Sequence, residues 1–309
     1  MNFDLTAEER ELQQWVRELC AKRFPMERLR KTAGRIDGDD WGALWEAGVF
    51  DITSPRDGNK VATGFKDAVF VFEELGRALV PGPLVGTLGC PPGSVAGVVE
   101  RTAPVVDHLE SLDALQIIDD DGLWLVLDLD EIDAEPVEDH LDPLTPLHRV
   151  GLLPQGRQVA GPEAAVRRRA EGAALTAALQ LGIATRTTEL AVAYAKEREQ
   201  FGRPIGSFQA VKHICADMLV RTEVARAAVY AAGVTLDDPS VGDARRAVAG
   251  AKLLADRAAF RNGKDCVQVH GGMGFTWEVD VHLYLKRAVF LQTVFGSRDE
   301  HAETLAGCL

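Results

Sequence analysis

A chain of 309 residues, 46% apolar, 26% charged and 6% aromatic, can bury a full core, with one or two domains as the expected division. Its net charge of -13 argues against nucleic acid or an anionic membrane as a partner, because no domain-wide basic surface is available. No apolar run approaches the roughly 20 residues of a membrane helix, and Met1-Asn2-Phe3-Asp4 opens without the basic and apolar regions of a signal peptide, so a cytoplasmic location is expected.

The chain opens on Thr6-Ala7-Glu8-Glu9, which has the capping-box form, and Leu12, Trp15, Val16 and Leu19 continue at helical spacing. Asp40 to Gly48 reads as a short helix closed by glycine. A third helix from Asp67 is stopped by Pro81. Its adjacent Glu73 and Glu74 do not face each other on a helix, so they are expected on a solvated face.

From about Val105 to Gly156 the character changes. Leu115-Gln116-Ile117-Ile118 and Leu123-Trp124-Leu125-Val126-Leu127, split by Asp119-Asp120-Asp121-Gly122, predict a hairpin in a small β domain. Between Arg101 and Arg149 there is no Lys or Arg, while Asp and Glu recur from Asp107 to Asp142. Such a segment repels pyrophosphate and other phosphate groups.

From Pro162 the pattern is helical. Glu163 to Lys196 makes a helix of roughly 50 Å at 1.5 Å per residue. Phe208 to Leu236, Asp243 to Val269 and Val279 to about Phe295 complete a four-helix bundle whose outer stripes are suited to pairing with another subunit. The expected fold is mainly α with a small β domain: N-terminal helices over 1–100, a shortened acidic β domain over 101–160 and a helical bundle over 161–309.

The cysteines, Cys20, Cys90, Cys215, Cys266 and Cys308, are odd in number, widely spaced and free of C-x-x-C pairs, which indicates neither a zinc site nor a disulfide framework. Cys266 reads as a small buried thiol rather than a nucleophile. His282 and His301 have no partner at metal-ligand spacing, and no metal is inferred.

Two glycine-broken stretches lie between the long helices. The first, Arg198-Glu199-Gln200-Phe201-Gly202-Arg203-Pro204-Ile205-Gly206-Ser207-Phe208-Gln209, predicts a helix ending at Gly202, a tight turn at Pro204 and Gly206, and a new helix near Ser207. The second is Gln268-Val269-His270-Gly271-Gly272-Met273-Gly274. Each offers a helix end, free backbone N–H groups and side-chain donors where a phosphate or amide group could lie. In this order, with a helical hairpin between them, they closely resemble the C-terminal domain of the acyl-CoA dehydrogenase family. The resemblance runs from about Arg167 to the end. The string from Glu73 to Leu84 is similar to the N-terminal helices of the family's bacterial branch.

The resemblance implies contacts to the adenosine and pyrophosphate part of an FAD held mainly by a neighbouring subunit. At the matching positions stand Arg198, Phe201, Gln209, Gln268, Gly271 and Gly272. The chemistry suits them: Arg gives a forked donor for pyrophosphate, Gln side chains both donate and accept, and Gly lets the backbone approach closely. The family's middle domain carries a Y-x-x-T-E-x-x-x-G-S-D-type segment that wraps the flavin ring and part of the acyl-CoA. No such segment occurs here.

An acyl-CoA dehydrogenase removes the α proton of a thioester with a carboxylate while the β hydrogen leaves as hydride to the flavin. The family's E-G-[T/S] triplet is matched by Phe295-Gly296-Ser297, with Phe in place of Glu. A minority of members carry the Glu early in the long helix. Ungapped alignment puts Gly172 there, with Glu171 one residue, or about 100° of helix, away. Glu171 is therefore the weak candidate, with a solvent-facing position beside Arg167, Arg168 and Arg169 the favoured reading. Glu278 reads as structural, and His213 and His270 as packing residues beside the cofactor contacts.

Taken together, the resemblance implies a subunit of a heteromeric (α2β2) acyl-CoA dehydrogenase, as known in bacterial steroid catabolism. A partner subunit would carry the catalytic Glu and the flavin-ring pocket, and electrons would pass to an electron-transfer flavoprotein. Two rivals are a self-sufficient homomeric enzyme using Glu171 and a scaffold that has lost FAD.

Overall fold

The computed structural model describes residues 5–53, 64–102, 105–130 and 132–308. Helix α1 (Ala7–Arg23) starts as its capping box requires: the Glu9 N–H donates to Thr6 Oγ1 at 3.2 Å and the Thr6 N–H donates to Glu9 Oε2 at 2.7 Å. Helices α2 (Met26–Thr32) and α3 (Gly38–Glu46) follow, and the Asp37 carboxylate caps α3 by accepting from the N–H groups of Asp39 and Asp40. Helix α4 (Phe65–Arg77) is buried almost all round, and the short α5 (Leu84–Thr87) leads into the strands.

Glu73 and Glu74 correct the sequence reading. Each is only 1% exposed. The Arg17 guanidinium from α1 donates twice to Glu74, at 2.7 and 2.9 Å. On the other side Glu73 accepts from Arg226, from the Tyr230 hydroxyl at 2.8 Å and from the Thr185 hydroxyl at 3.3 Å. The two carboxylates do point apart, as their spacing requires, but each points into a different helix interface that supplies an arginine.

The β region forms two small sheets. Strands β1 (Ala96–Glu100), β3 (Ala114–Ile118), β4 (Leu123–Val126) and β7 (Arg157–Ala160) lie in the order β1-β3-β4-β7, with β1 and β3 parallel and the remaining pairs antiparallel. The expected hairpin is β3–β4, with Ile118 opposite Leu123. Strands β2 (Val105–Asp107), β6 (Leu147–Val150) and β5 (Ala134–Pro136) make an antiparallel sheet in the order β2-β6-β5. Both sheets share one apolar cluster around Leu115, Ile117, Val106 and Val150.

The C-terminal half holds the long helices α6 (Pro162–Glu197), α7 (Gln209–Asp237) and α8 (Ala244–His270), followed by α9 (Val281–Leu291). The predicted fourth helix is thus shorter than its apolar pattern. A fifth, α10 (Arg298–Ala306), was not expected. Its signal was present in Ser297-Arg298-Asp299-Glu300, a capping box in which both reciprocal hydrogen bonds form. Glycines let α4 lie close to α6: a Cβ on Gly76 would sit 2.1 Å from the Leu179 carbonyl oxygen, and one on Gly182 2.0 Å from that of Glu73. The main core therefore runs unbroken from the N-terminal helices into the bundle. No helix among the described residues is long and apolar enough to cross a membrane.

Candidate functional site

The two glycine-broken stretches meet at one end of the bundle. There the last turns of α6 and α8 and the first of α7 share a small apolar cluster that includes Ala191, Ala195, Met218 and Val267. Tyr194 of α6 stacks on His270 of α8 with ring centroids 4.1 Å apart. Antiparallel connection explains this convergence: the short link from α6 returns as α7, and α8 runs back alongside α6.

The expected helix end at Gly202 is corrected. Helix α6 stops at Glu197, because Arg198 takes an extended conformation and its carbonyl accepts the Ile205 N–H at 2.7 Å. Strands β8 (Glu199–Gln200) and β9 (Arg203–Pro204) then pair antiparallel around Phe201 and Gly202, whose φ values are 55° and 77°. Two positive φ angles in a two-residue turn match the right-handed twist of a hairpin, so Gly202 serves a turn rather than a helix cap. Phe201 holds a left-handed conformation that disfavours a bulky side chain, and it is 92% exposed.

All six sequence-selected residues, Arg198, Phe201, Gln209, Gln268, Gly271 and Gly272, are exposed at this end. The Arg198 guanidinium and the Gln209 and Gln268 amides have no hydrogen-bond partner among the described side chains. Gln209 begins α7, which has no side-chain cap, so the first N–H groups of that helix are open to a ligand. Gly271 follows α8 with φ 61°, and a Cβ on Gly271 or Gly272 would meet nothing within 4 Å, leaving their backbone open. Unpartnered donors, an uncapped helix start and a bare backbone fit the pyrophosphate end of a dinucleotide cofactor. Phe275, 81% exposed, and Trp277 add apolar surface beside them, and Trp277 carries Lys286 over its ring, 4.7 Å from the centroid.

The two family positions for the catalytic carboxylate also come together. A Cβ on Gly172 would lie 2.2 Å from Cε1 of Phe295, so the Phe295 ring rests directly on the bare backbone of Gly172. Phe295 is buried and held at φ 56°, and its carbonyl lies 2.9 Å from His301 Nε2. Burial, together with Lys252, lowers the His301 pKa, favouring a neutral ring there. Neither residue offers a carboxylate, and the Phe295 ring fills the space a Glu at position 172 would need.

The remaining candidates lie elsewhere. Glu171 accepts from Arg167 Nε at 2.7 Å, and its side chain is 15% exposed, less open than expected. Glu278 and His213 are on the surface. His270 has Nδ1 2.8 Å from the Cys266 carbonyl, within the turn it packs. Burial pushes the Cys266 thiol up to about 12, so it is no nucleophile at neutral pH.

The fold and these two sites define an acyl-CoA dehydrogenase scaffold, and comparison with known proteins places the chain. Residues 6–100 match the acyl-CoA dehydrogenase N-terminal domain and residues 160–308 the acyl-CoA dehydrogenase C-terminal domain. The chain belongs to the acyl-CoA dehydrogenase family. It is 34% identical over 299 residues to the acyl-CoA dehydrogenase IpdE2 of Mycolicibacterium smegmatis, covering 91% of this chain and 93% of that one. It is 37% identical over 275 residues to the acyl-CoA dehydrogenase FadE34 of Mycobacterium tuberculosis, covering 78% of this chain but spanning only 38% of the relative's length. Among solved structures, a steroid ACAD variant described as Tcur3481-Tcur3483 superposes with a TM-score of 0.83 at 23% identity over 97% of both chains. The ChsE4-ChsE5 complex of Mycobacterium tuberculosis gives 0.82 at 22% identity over 99% of this chain and 98% of that one. At such identity the likeness is one of fold.

Proposed function

We propose that this chain is the base-lacking subunit of a cytoplasmic, heteromeric (α2β2), FAD-dependent acyl-CoA dehydrogenase. It completes the FAD site of a partner subunit that carries the catalytic Glu, and the assembly introduces a double bond α,β to the thioester of an acyl-CoA. The observation that carries the reading is the contrast between Phe295 packed on Gly172, where no carboxylate stands, and the six exposed contact residues at the bundle end. A chain that held and reduced flavin alone would need the base, and a bare scaffold would gain nothing from an exposed, unpartnered arginine.

FAD would supply the hydride acceptor on the partner's side. Arg198 would bind its pyrophosphate as a forked donor, the open N–H groups at the start of α7 would add to the positive field, and Gln209 and Gln268 would fix the polar edges. Gly271 and Gly272 would let the backbone come close. Phe201, Phe275 and Trp277 would be covered by the partner. The likeness to a steroid ACAD and to a two-component complex supports a steroid-derived CoA thioester as substrate class and a second dehydrogenase subunit as partner, with an electron-transfer flavoprotein as electron acceptor.

The test is the visible spectrum and native mass of the chain purified alone and after co-expression with a candidate partner subunit. A colourless chain that becomes part of a yellow heterotetramer is expected. FAD bound to a homo-oligomer of this chain alone would overturn the reading and make Glu171 the base to mutate. Arg198→Ala should lower flavin retention in the complex and change the stability of the chain by less than about 0.5 kcal/mol; unchanged flavin content would remove Arg198 from the site.

A further inference from the structure

Helix α10 buries no side chain, whereas α6, α7, α8 and α9 each bury several. His301, Thr304 and Leu305 are only half-buried. A helix so placed can detach without opening the core. The side-chain hydrogen bond that ties it to the preceding turn comes from His301, whose Nε2–H donates to the Phe295 carbonyl at 2.9 Å. The ring also lies against Gly296, where a Cβ would stand 2.8 Å from Nε2. Phe295 and Gly296 both hold positive φ, 56° and 99°, and this sharp turn brings the carbonyl to the ring. Behind it the ammonium of Lys252, fully buried on α8, donates to Asp256 at 2.6 Å and to the Leu291 carbonyl at 3.1 Å. The charged groups that face His301 are therefore Lys252 and Asp256 on α8 and Glu300 beside it on α10.

We propose that α10 is an acid-sensitive strap, closed over the Phe295 turn while His301 is neutral and released when its ring takes up a proton. A neutral imidazole has only to give its Nε2–H to Phe295. An imidazolium must stay half-buried beside Lys252 and near the positive end of the α10 dipole, and detachment returns it to water. Burial and Lys252 hold the His301 pKa below the ordinary value of about 6.5, against the opposing pull of the Phe295 carbonyl, Asp256 and Glu300. The closed state thus has its full stability above about pH 6.5 and loses it as pH falls from there towards the closed-state value. Neither neighbouring carboxyl gives this effect. Burial raises the Asp256 pKa, so its protonation favours the folded state on acidification. Glu300, held down by the Ser297 N–H and hydroxyl, titrates below the ordinary glutamate value of about 4.3. The strap needs no partner, so it stands or falls separately from the shared FAD site.

Hydrogen exchange of the full chain at about pH 7.5 and about pH 5.5, either side of the ordinary histidine value, tests it once corrected for the intrinsic rate at each pH. Protection of the α10 amides should fall by up to about tenfold at the lower pH, while α6 and α8 keep theirs. His301→Gln keeps a side-chain N–H donor and cannot take up the proton, so its α10 should be equally protected at both pH values. Should the shorter reach of Gln leave α10 open at both, NMR titration of the His301 ring decides, with a midpoint below about 6.5 expected. Unchanged α10 protection in wild type, an equal acid loss in His301→Gln, a parallel loss across α6 and α8, or a ring midpoint at or above that value would overturn the proposal.

Discussion

Helix α6 carries two regions built in opposite ways. Near its start Gly172 is buried under the Phe295 ring, with no polar atom of either side chain to move a proton. Just past its end, Arg198 and the hairpin that follows stand in solvent with donors unpaired and an aromatic residue held in a strained conformation. The buried Glu73 and Glu74 each have an arginine and hydrogen-bond donors of their own chain, whereas the exposed donors at the bundle end have none. The difference teaches where this chain spends its interactions: the closed region serves its own stability, and the open region is suited to a molecule that the chain does not contain.

The comparison is broken most sharply in the closed region. Asp142 and Arg287 pin α9 against the loop before β6, both side chains buried. Asp142→Asn should cost about 3–5 kcal/mol at neutral pH by leaving Arg287 without its counter-charge. Burial works against the Asp142 charge, but Arg287 and the hydrogen bonds from Thr145 and the Leu144 N–H outweigh it and hold the carboxyl below the ordinary aspartate value. A depressed pKa contributes stability above the unfolded value, about 3.9, and that contribution is lost as pH falls through the folded value. Denaturant titrations should therefore show the gap between wild type and Asp142→Asn closing below about pH 4.

Phe295→Ala should cost about 3–5 kcal/mol, as for a large core side chain removed from a packed site. Gly172→Ala should cost about 1–3 kcal/mol by overpacking, and that cost should largely vanish in the Phe295→Ala background. A double-mutant cycle on urea midpoints reads this directly, and additive costs would mean that the ring does not rest on Gly172. In the open region the smallest stability change is expected, with the opposite sign. Phe201→Gly should leave the free chain unchanged or stabilise it by up to about 1 kcal/mol, because glycine tolerates positive φ, while flavin retention by the complex falls. Loss of stability in the free chain would show that Phe201 packs within its own subunit.

Much of the scaffold was legible because its causes are local. The capping box at Thr6, the hairpin between Ile118 and Leu123 and the length of α6 follow from hydrogen-bonding residues, turn chemistry and periodicity within a few residues. The errors arose where two elements meet. Glycine at 202 looked like a helix cap until the β8–β9 pairing gave it a turn to make. Glu73 and Glu74 looked solvated until α1 and α7 brought Arg17 and Arg226 to them.

For the candidate sites, the sequence by itself determined which residue types occupy the two stretches and that neither Phe295 nor Gly172 is acidic. Only the tertiary structure decided that Phe295 lies on Gly172, that the ends of α6, α7 and α8 converge, and that Lys252 faces His301. Side-chain identity and local conformation are written in short stretches of chain. Contact between residues far apart is fixed by how helices of given length and small-residue faces close-pack, and no short window of sequence contains that geometry.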